Sequence, residues 1–162
     1  MDRKEILSKK KRIVIKVGTT TITYEETGNI NLDKLEKFVR ILINLRNQGK
    51  EVILVSSGAI MAGSQLTAQV LLTKESVTNE ECRKNARQTF DALLNMHVVP
   101  IVNENDAISV DELAYGNFGD NDTLAANVAE LVEADLLILL SDIEGMYTAD
   151  PKSNPNARFI HT

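Results

Sequence analysis

Tryptophan is absent from the 162-residue sequence and aromatic residues make up only 4% of it, which argues against a surface that stacks nucleic-acid bases. There is one cysteine, Cys82, so an internal disulfide is excluded and a reducing compartment fits. Cys82 lies in a helical pattern with no histidine beside it, which gives it a structural role. The two histidines, His97 and His161, are isolated. They offer no metal-ligand spacing and no Ser-His-Asp arrangement, and His97, beside a strand, reads as structural. No apolar run approaches a membrane span, and the N-terminus has no signal-peptide core. The cytoplasm is therefore the expected location, with no membrane partner. Positive charge is also in short supply: 18 Lys and Arg stand against 23 Asp and Glu, a net charge of -5, with no sign of a nucleic-acid partner. The run Lys9-Lys10-Lys11-Arg12 is short and abuts the first strand, so it reads as a solvated lead-in.

What is present is a soluble globular composition, 43% hydrophobic and 25% charged, over a length that suits a single domain spanning 1–162. Strand and helix patterns alternate along it. Ile13, Val14, Ile15 and Val17 form a buried strand rich in β-branched residues. Tyr24 to Ile30 is polar, carries Gly28, and reads as a loop or short hairpin. Asn31 caps the next helix, which places Leu32, Leu35, Phe38, Val39, Leu42 and Leu45 on one face and stops at Gly49. Glu51–Ser56 is a second strand, leading into small residues (Ser57-Gly58-Ala59) that open a short helix. Ala68–Thr73 is a third strand. Thr78 and Glu81 form a capping box for a helix running to about Asn95. Val98–Val102 is a fourth strand whose Pro100 indicates an early or edge position. Asp122–Glu133 is a helix. Leu136–Leu140 is a fifth strand, almost wholly apolar and so expected to be covered on both faces. The alternation predicts an α/β fold, a mostly parallel sheet sandwiched between helices.

The segment Lys16-Val17-Gly18-Thr19-Thr20 organises the rest. A lysine near a strand's end, followed by glycine and threonines, offers a point charge, a close backbone approach and N–H groups for an anion. In open α/β sheets ligands bind beyond the carboxyl ends of the strands. The other chemistry-bearing residues also follow strands: Ser56-Ser57-Gly58 after the second, Asn103-Glu104-Asn105-Asp106 after the fourth, Ser141-Asp142 after the fifth. Gly119-Asp120-Asn121-Asp122 opens the helix before the fifth. Parallel strands bring these to one edge, where acids and amides suit a small zwitterion's ammonium and hydroxyls suit its carboxylates. No G-x-G-x-x-G follows the first strand, which leaves a dinucleotide oxidoreductase unsupported, and Gly58 to Ser64 lacks the lysine of a P-loop.

Taken with Ala68-Gln69-Val70-Leu71-Leu72-Thr73 and the run Ser141-Asp142-Ile143-Glu144-Gly145-Met146-Tyr147-Thr148-Ala149-Asp150-Pro151, these segments resemble the glutamate 5-kinase family of amino-acid kinases from about Arg12 onward. The resemblance implies ATP-dependent phosphorylation of the γ-carboxylate of L-glutamate, the first step of proline biosynthesis. It implies Lys16 against the transferring phosphate, Asp122 holding that lysine, Gly18, Ser57, Asp106 and Asn121 around glutamate, and Ser141 and Asp142 beside the nucleotide. Mg²⁺ is then held mainly by ATP phosphates and water. Self-association and feedback inhibition by proline are further expectations. Another amino-acid kinase (for aspartate, acetylglutamate or a nucleoside monophosphate) and a catalytically dead glutamate-binding fragment are the alternatives. The sequence departs from the family's pattern twice. Only four residues separate Gly63 from Ala68, where the family has a few dozen, although parallel crossovers usually need a dozen residues or more and a helix. The family's Gly-Gly-Met segment with a second lysine, and the RNA-binding-like extra domain of many members, are not found, so an incomplete nucleotide half is expected.

Overall fold

The computed structural model describes residues 3–56, 67–105, 121–141, 145–151 and 153–160. The elements are α1 (Arg3–Lys9), β1 (Arg12–Val17), α2 (Thr19–Ile22), α3 (Leu32–Asn47), β2 (Glu51–Val55), β3 (Thr67–Leu72), α4 (Lys74–Thr78), α5 (Glu80–Asn95), β4 (Val99–Glu104), α6 (Asn121–Leu131) and β5 (Leu136–Leu140). The five strands form one sheet in the order β3-β4-β2-β1-β5. Every pairing is parallel, so all carboxyl ends lie along one edge.

Period-two alternation in β1 divides the core between the two faces of the sheet. Ile13, Ile15 and Val17 pack with Ile22, Phe38 and Leu42 of α2 and α3. Val14 packs with Phe90 and Leu94 of α5 and with Leu124, Ala125, Val128 and Leu131 of α6. The result is an α/β/α sandwich, as the sequence alternation requires. In α6 the apolar side chains recur at i, i+1, i+4 and i+7, the spacing of a single buried helical stripe.

Local chemistry explains the element ends. Asn31 caps α3 by accepting the Lys34 N–H at 3.0 Å. Gly49, at φ +76°, provides the left-handed residue after it. His97 and Glu133 adopt the same conformation after α5 and α6, at φ 57° and 51°. Thr23 and Ile30 form an antiparallel bridge, so Tyr24 to Ile30 is the expected short hairpin.

Several expectations are corrected. The cap of α5 is Asn79, whose Oδ1 accepts the N–H groups of Glu81 and Cys82. Thr78 is the last residue of α4 instead, because Thr73 starts a separate short helix with its own N–H donating to Ser76 Oγ at 3.0 Å. Leu32 stays outside the core at 72% exposure; the buried residues of α3 are Phe38 and Leu42, further along the helix. Pro100 meets the first of its two expected positions, early in the strand: β4 is interior, and its pairing with β2 begins only at Ile101, past the missing N–H. β5 is an edge strand among the described residues, with β3 at the other edge, so its leucines are only partly covered and Leu139 is 46% exposed. The basic run is not merely solvated either: Lys9 ends α1, and Arg12 opens β1 with its guanidinium largely enclosed.

Candidate active site

β1 turns Lys16 toward the α6 side of the sheet, two residues along from the buried Val14. There Lys16 Nζ lies 2.7 Å from Asp122 Oδ1, in the first turn of α6. The lysine is enclosed, at 16% side-chain exposure, whereas Asp122 is more open at 42%. A carboxylate in a first helical turn also faces the positive end of the helix dipole, so Asp122 is favoured where it stands and fixes the ammonium beside it.

Gly18 follows β1 with φ -75° and ψ 154°, extended backbone that any residue adopts. Its value is space. A Cβ there would stand 4.0 Å from Lys16 Nζ and 3.6 Å from Thr20 Oγ1. The absent side chain leaves the ammonium approachable from the loop. The N–H groups after Gly18 belong to α2, a single turn in which Thr21 N–H donates to the Gly18 carbonyl at 3.1 Å.

The other strand ends lie along the same edge. Ser56, at the end of β2, is buried, and its N–H donates to the Val102 carbonyl at 3.0 Å. Glu104 is in register with Leu72, and Asn105 N–H donates to the Leu72 carbonyl at 2.8 Å. Ser141 follows Leu140, the register partner of Val17. Asn121 is the first residue of α6, next to Asp122. The edge thus gathers Lys16, Gly18, Asn121, Asp122 and Ser141. Ser57, Asp106 and Asp142 lie outside the described residues, as do Gly58 and Gly119-Asp120. Among the described residues no three His, Cys, Asp or Glu side chains gather to hold a metal ion.

A model of the amino acid kinase family matches residues 11–77 and 59–162. The chain belongs to the amino acid kinase family. It is 46% identical to a glutamate 5-kinase of Carboxydothermus hydrogenoformans, a match covering 97% of this chain and 52% of that protein. It is 42% identical to a glutamate 5-kinase of Clostridium perfringens and 44% identical to one of Clostridium tetani, with 97% and 99% of this chain covered and 72% and 73% of theirs. The chain therefore spans about half the length of the first of these relatives. A UMP kinase from Bacillus anthracis has the same fold at a TM-score of 0.61 and 15% identity, with 91% of this chain and 72% of that one superposed. The Carboxydothermus alignment runs over 195 positions, more than the 162 residues here, so that relative carries residues without a counterpart in this chain. The family match is itself split into stretches that overlap at 59–77. That region holds the crossover from β2 to β3, two strands separated by β4 in the sheet.

A second polar centre at the opposite, amino-terminal edge was not foreseen. Arg12 Nε donates to Glu51 Oε2 at 2.6 Å and its Nη1 to the Val132 carbonyl at 2.7 Å, with Asp91 Oδ1 3.1 Å away. Burial pushes the Glu51 carboxyl up, but the hydrogen bonds and charges of Arg12 and Lys11 outweigh it and hold Glu51 below its ordinary value. Asp135 Oδ2 accepts the N–H groups of both Lys11 and Arg12 at 2.8 Å, which holds its carboxyl low as well. The only trace of this centre in the sequence was an arginine directly preceding a β-branched strand.

Proposed function

We propose that the protein is a glutamate 5-kinase, transferring the γ-phosphoryl group of ATP to the γ-carboxylate of L-glutamate. The observation that carries the reading is the Lys16–Asp122 pair at the carboxyl edge of a parallel sheet, beside a glycine that leaves the ammonium open to approach. A carboxylate oxygen of glutamate attacks the γ-phosphorus, the bond to the β–γ bridging oxygen breaks, and ADP leaves with its electron pair. The acceptor is already ionised, so no general base is required. Such a reaction asks for positioning and for neutralisation of the charge on the transferring group. In this reading Lys16 supplies that charge and Asp122 holds it in place. Gly18, Ser57, Asp106 and Asn121 bind glutamate, and Ser141 and Asp142 flank the nucleotide. Mg²⁺ would offset the charge of the ATP phosphates, held by the nucleotide and water rather than by a protein cage. Cytoplasmic location, self-association and inhibition by proline complete the reading.

The test is an acceptor panel of L-glutamate, aspartate, N-acetylglutamate and UMP with Mg-ATP, with ADP release followed for every acceptor and acyl phosphates captured by hydroxylamine. The expected result is hydroxamate with glutamate alone. Preference for another acceptor would move the protein elsewhere within the family, and glutamate binding without turnover would make it a binding module.

A further inference from the structure

We infer that Arg12, at the far edge of the sheet, is a positioning residue for Lys16, acting through the length of α6. β1 and α6 lie against each other and run in opposite directions. From Arg12 to Lys16 the strand advances about 13 Å at its usual rise. From Asp122 to Val132 the helix advances about 15 Å. The two elements are thus matched in length and joined at both ends: Lys16 Nζ to Asp122 Oδ1 at 2.7 Å, and Arg12 Nη1 to the Val132 carbonyl at 2.7 Å. The second joint is reinforced by Asp135, which accepts from the backbone of Lys11 and Arg12 while its own N–H donates to the Arg12 carbonyl at 2.9 Å.

Between the joints the contact is apolar. Val14 shares one buried cluster with Leu124, Ala125, Val128 and Leu131, all 2% exposed or less. Smooth apolar surfaces resist separation but set axial position weakly, because dispersion and burial are not directional. Directional bonds at the ends set it. A slip of α6 by one residue is about 1.5 Å, enough to carry Asp122 out of hydrogen-bond range of the ammonium. Arg12 blocks that slip. It also contacts Glu51 of β2 and Asp91 of α5, so its guanidinium is fixed by two further elements as it reaches α6.

The test reads Lys16 itself, without turnover: the rate of acetylation of its amine at fixed pH by an amine-reactive ester, followed by peptide mass spectrometry. Although its consequence for catalysis rests on the kinase reading, this measurement stands whether or not glutamate is the acceptor. Asp122→Asn frees the amine and speeds the reaction. Arg12→Met is expected to speed it as well, by about threefold, the low end of coupling within one network. Combined with Asp122→Asn, it should add nothing further. Arg12→Lys, which keeps the charge and part of the reach, should give a smaller increase. The sign is decisive. Acting through space alone, removal of Arg12's positive charge would hold the ammonium more firmly and slow acetylation. An unchanged or slower rate in Arg12→Met overturns the inference, as do multiplicative effects in the double variant. So does an equal rise in Phe38→Leu, a core variant on the other face of the sheet that loosens the fold without touching either joint.

Discussion

Replacing Lys16 by methionine should separate catalysis from stability. The substitution keeps an unbranched apolar stem in a site where only 16% of the lysine is exposed, and removes only the ammonium. Two charges this close attract by about 4 kcal/mol or more at an effective dielectric of 20. Most of that is offset by dehydration and immobilisation, and Asp122 is 42% exposed, so the net contribution of such a pair is about 0.2–1 kcal/mol. Methionine recovers part of it through apolar contact with the wall around Val14. Urea unfolding followed by circular dichroism should therefore place Lys16→Met within about 1 kcal/mol of the parent protein. Removing one preorganised charge from a reacting centre typically costs 10²–10³ in turnover, about 2.7–4 kcal/mol. Initial rates at saturating ATP and glutamate should fall by that factor, with the Michaelis constant for glutamate little changed. A variant that keeps more than about a tenth of the parent rate, a deficit below 1.4 kcal/mol, would refute the assignment. So would a loss of stability large enough to account for the lost activity.

Gly18→Ala keeps an allowed backbone but places a methyl 4.0 Å from Lys16 Nζ; turnover should fall while the unfolding midpoint stays within about 0.5 kcal/mol, the range of surface substitutions. Phe90, fully buried between α5 and the sheet, should cost about 3–5 kcal/mol on replacement by alanine, read by the same urea titration. Asn79→Ala removes the acceptor for two N–H groups of α5 and should cost about 1 kcal/mol. Glu51 and Asp135 are both held below their ordinary values of 4.5 and 3.8 in the folded protein. Their contribution is thus complete above those values and lost as pH falls through the lower folded-state ones. Stability should decline from about pH 5 downward, and Glu51→Gln should flatten that decline. An equally steep acid limb in Glu51→Gln would show that other carboxylates govern it.

The alternation of apolar runs with amphipathic helices was enough to read the sheet, its parallel sense and the edge on which Lys16 and Asp122 meet, because each signal is local and repeats along the chain. Neighbour relations in the sheet were not legible. Whether Leu136–Leu140 is central or at an edge depends on which strands pair, and its composition alone suggested a strand enclosed on both faces. The α5 cap was misread by one residue because Thr78 and Asn79 are both good caps, and the short helix α4 claims the threonine. Arg12 was missed for a deeper reason. Its partners Glu51, Asp91 and Val132 are 39, 79 and 120 residues away in sequence, and nothing local separates an enclosed arginine from a solvated one. Gly18 is read from the sequence as a place of close backbone approach; in the structure it lies beside Lys16 Nζ in extended backbone, so no unusual dihedral calls for glycine there.

The most direct test of the central claim follows the oxygen. With ATP and L-glutamate carrying oxygen-18 in the γ-carboxylate, hydroxylamine capture of the product releases phosphate by cleavage at the carbonyl carbon. If the glutamate carboxylate attacks phosphorus beside Lys16, the released phosphate carries a labelled oxygen, and Lys16→Met produces little phosphate of any kind. Unlabelled phosphate formed at the parent rate would mean that water, not glutamate, accepts the phosphoryl group, and would contradict the account.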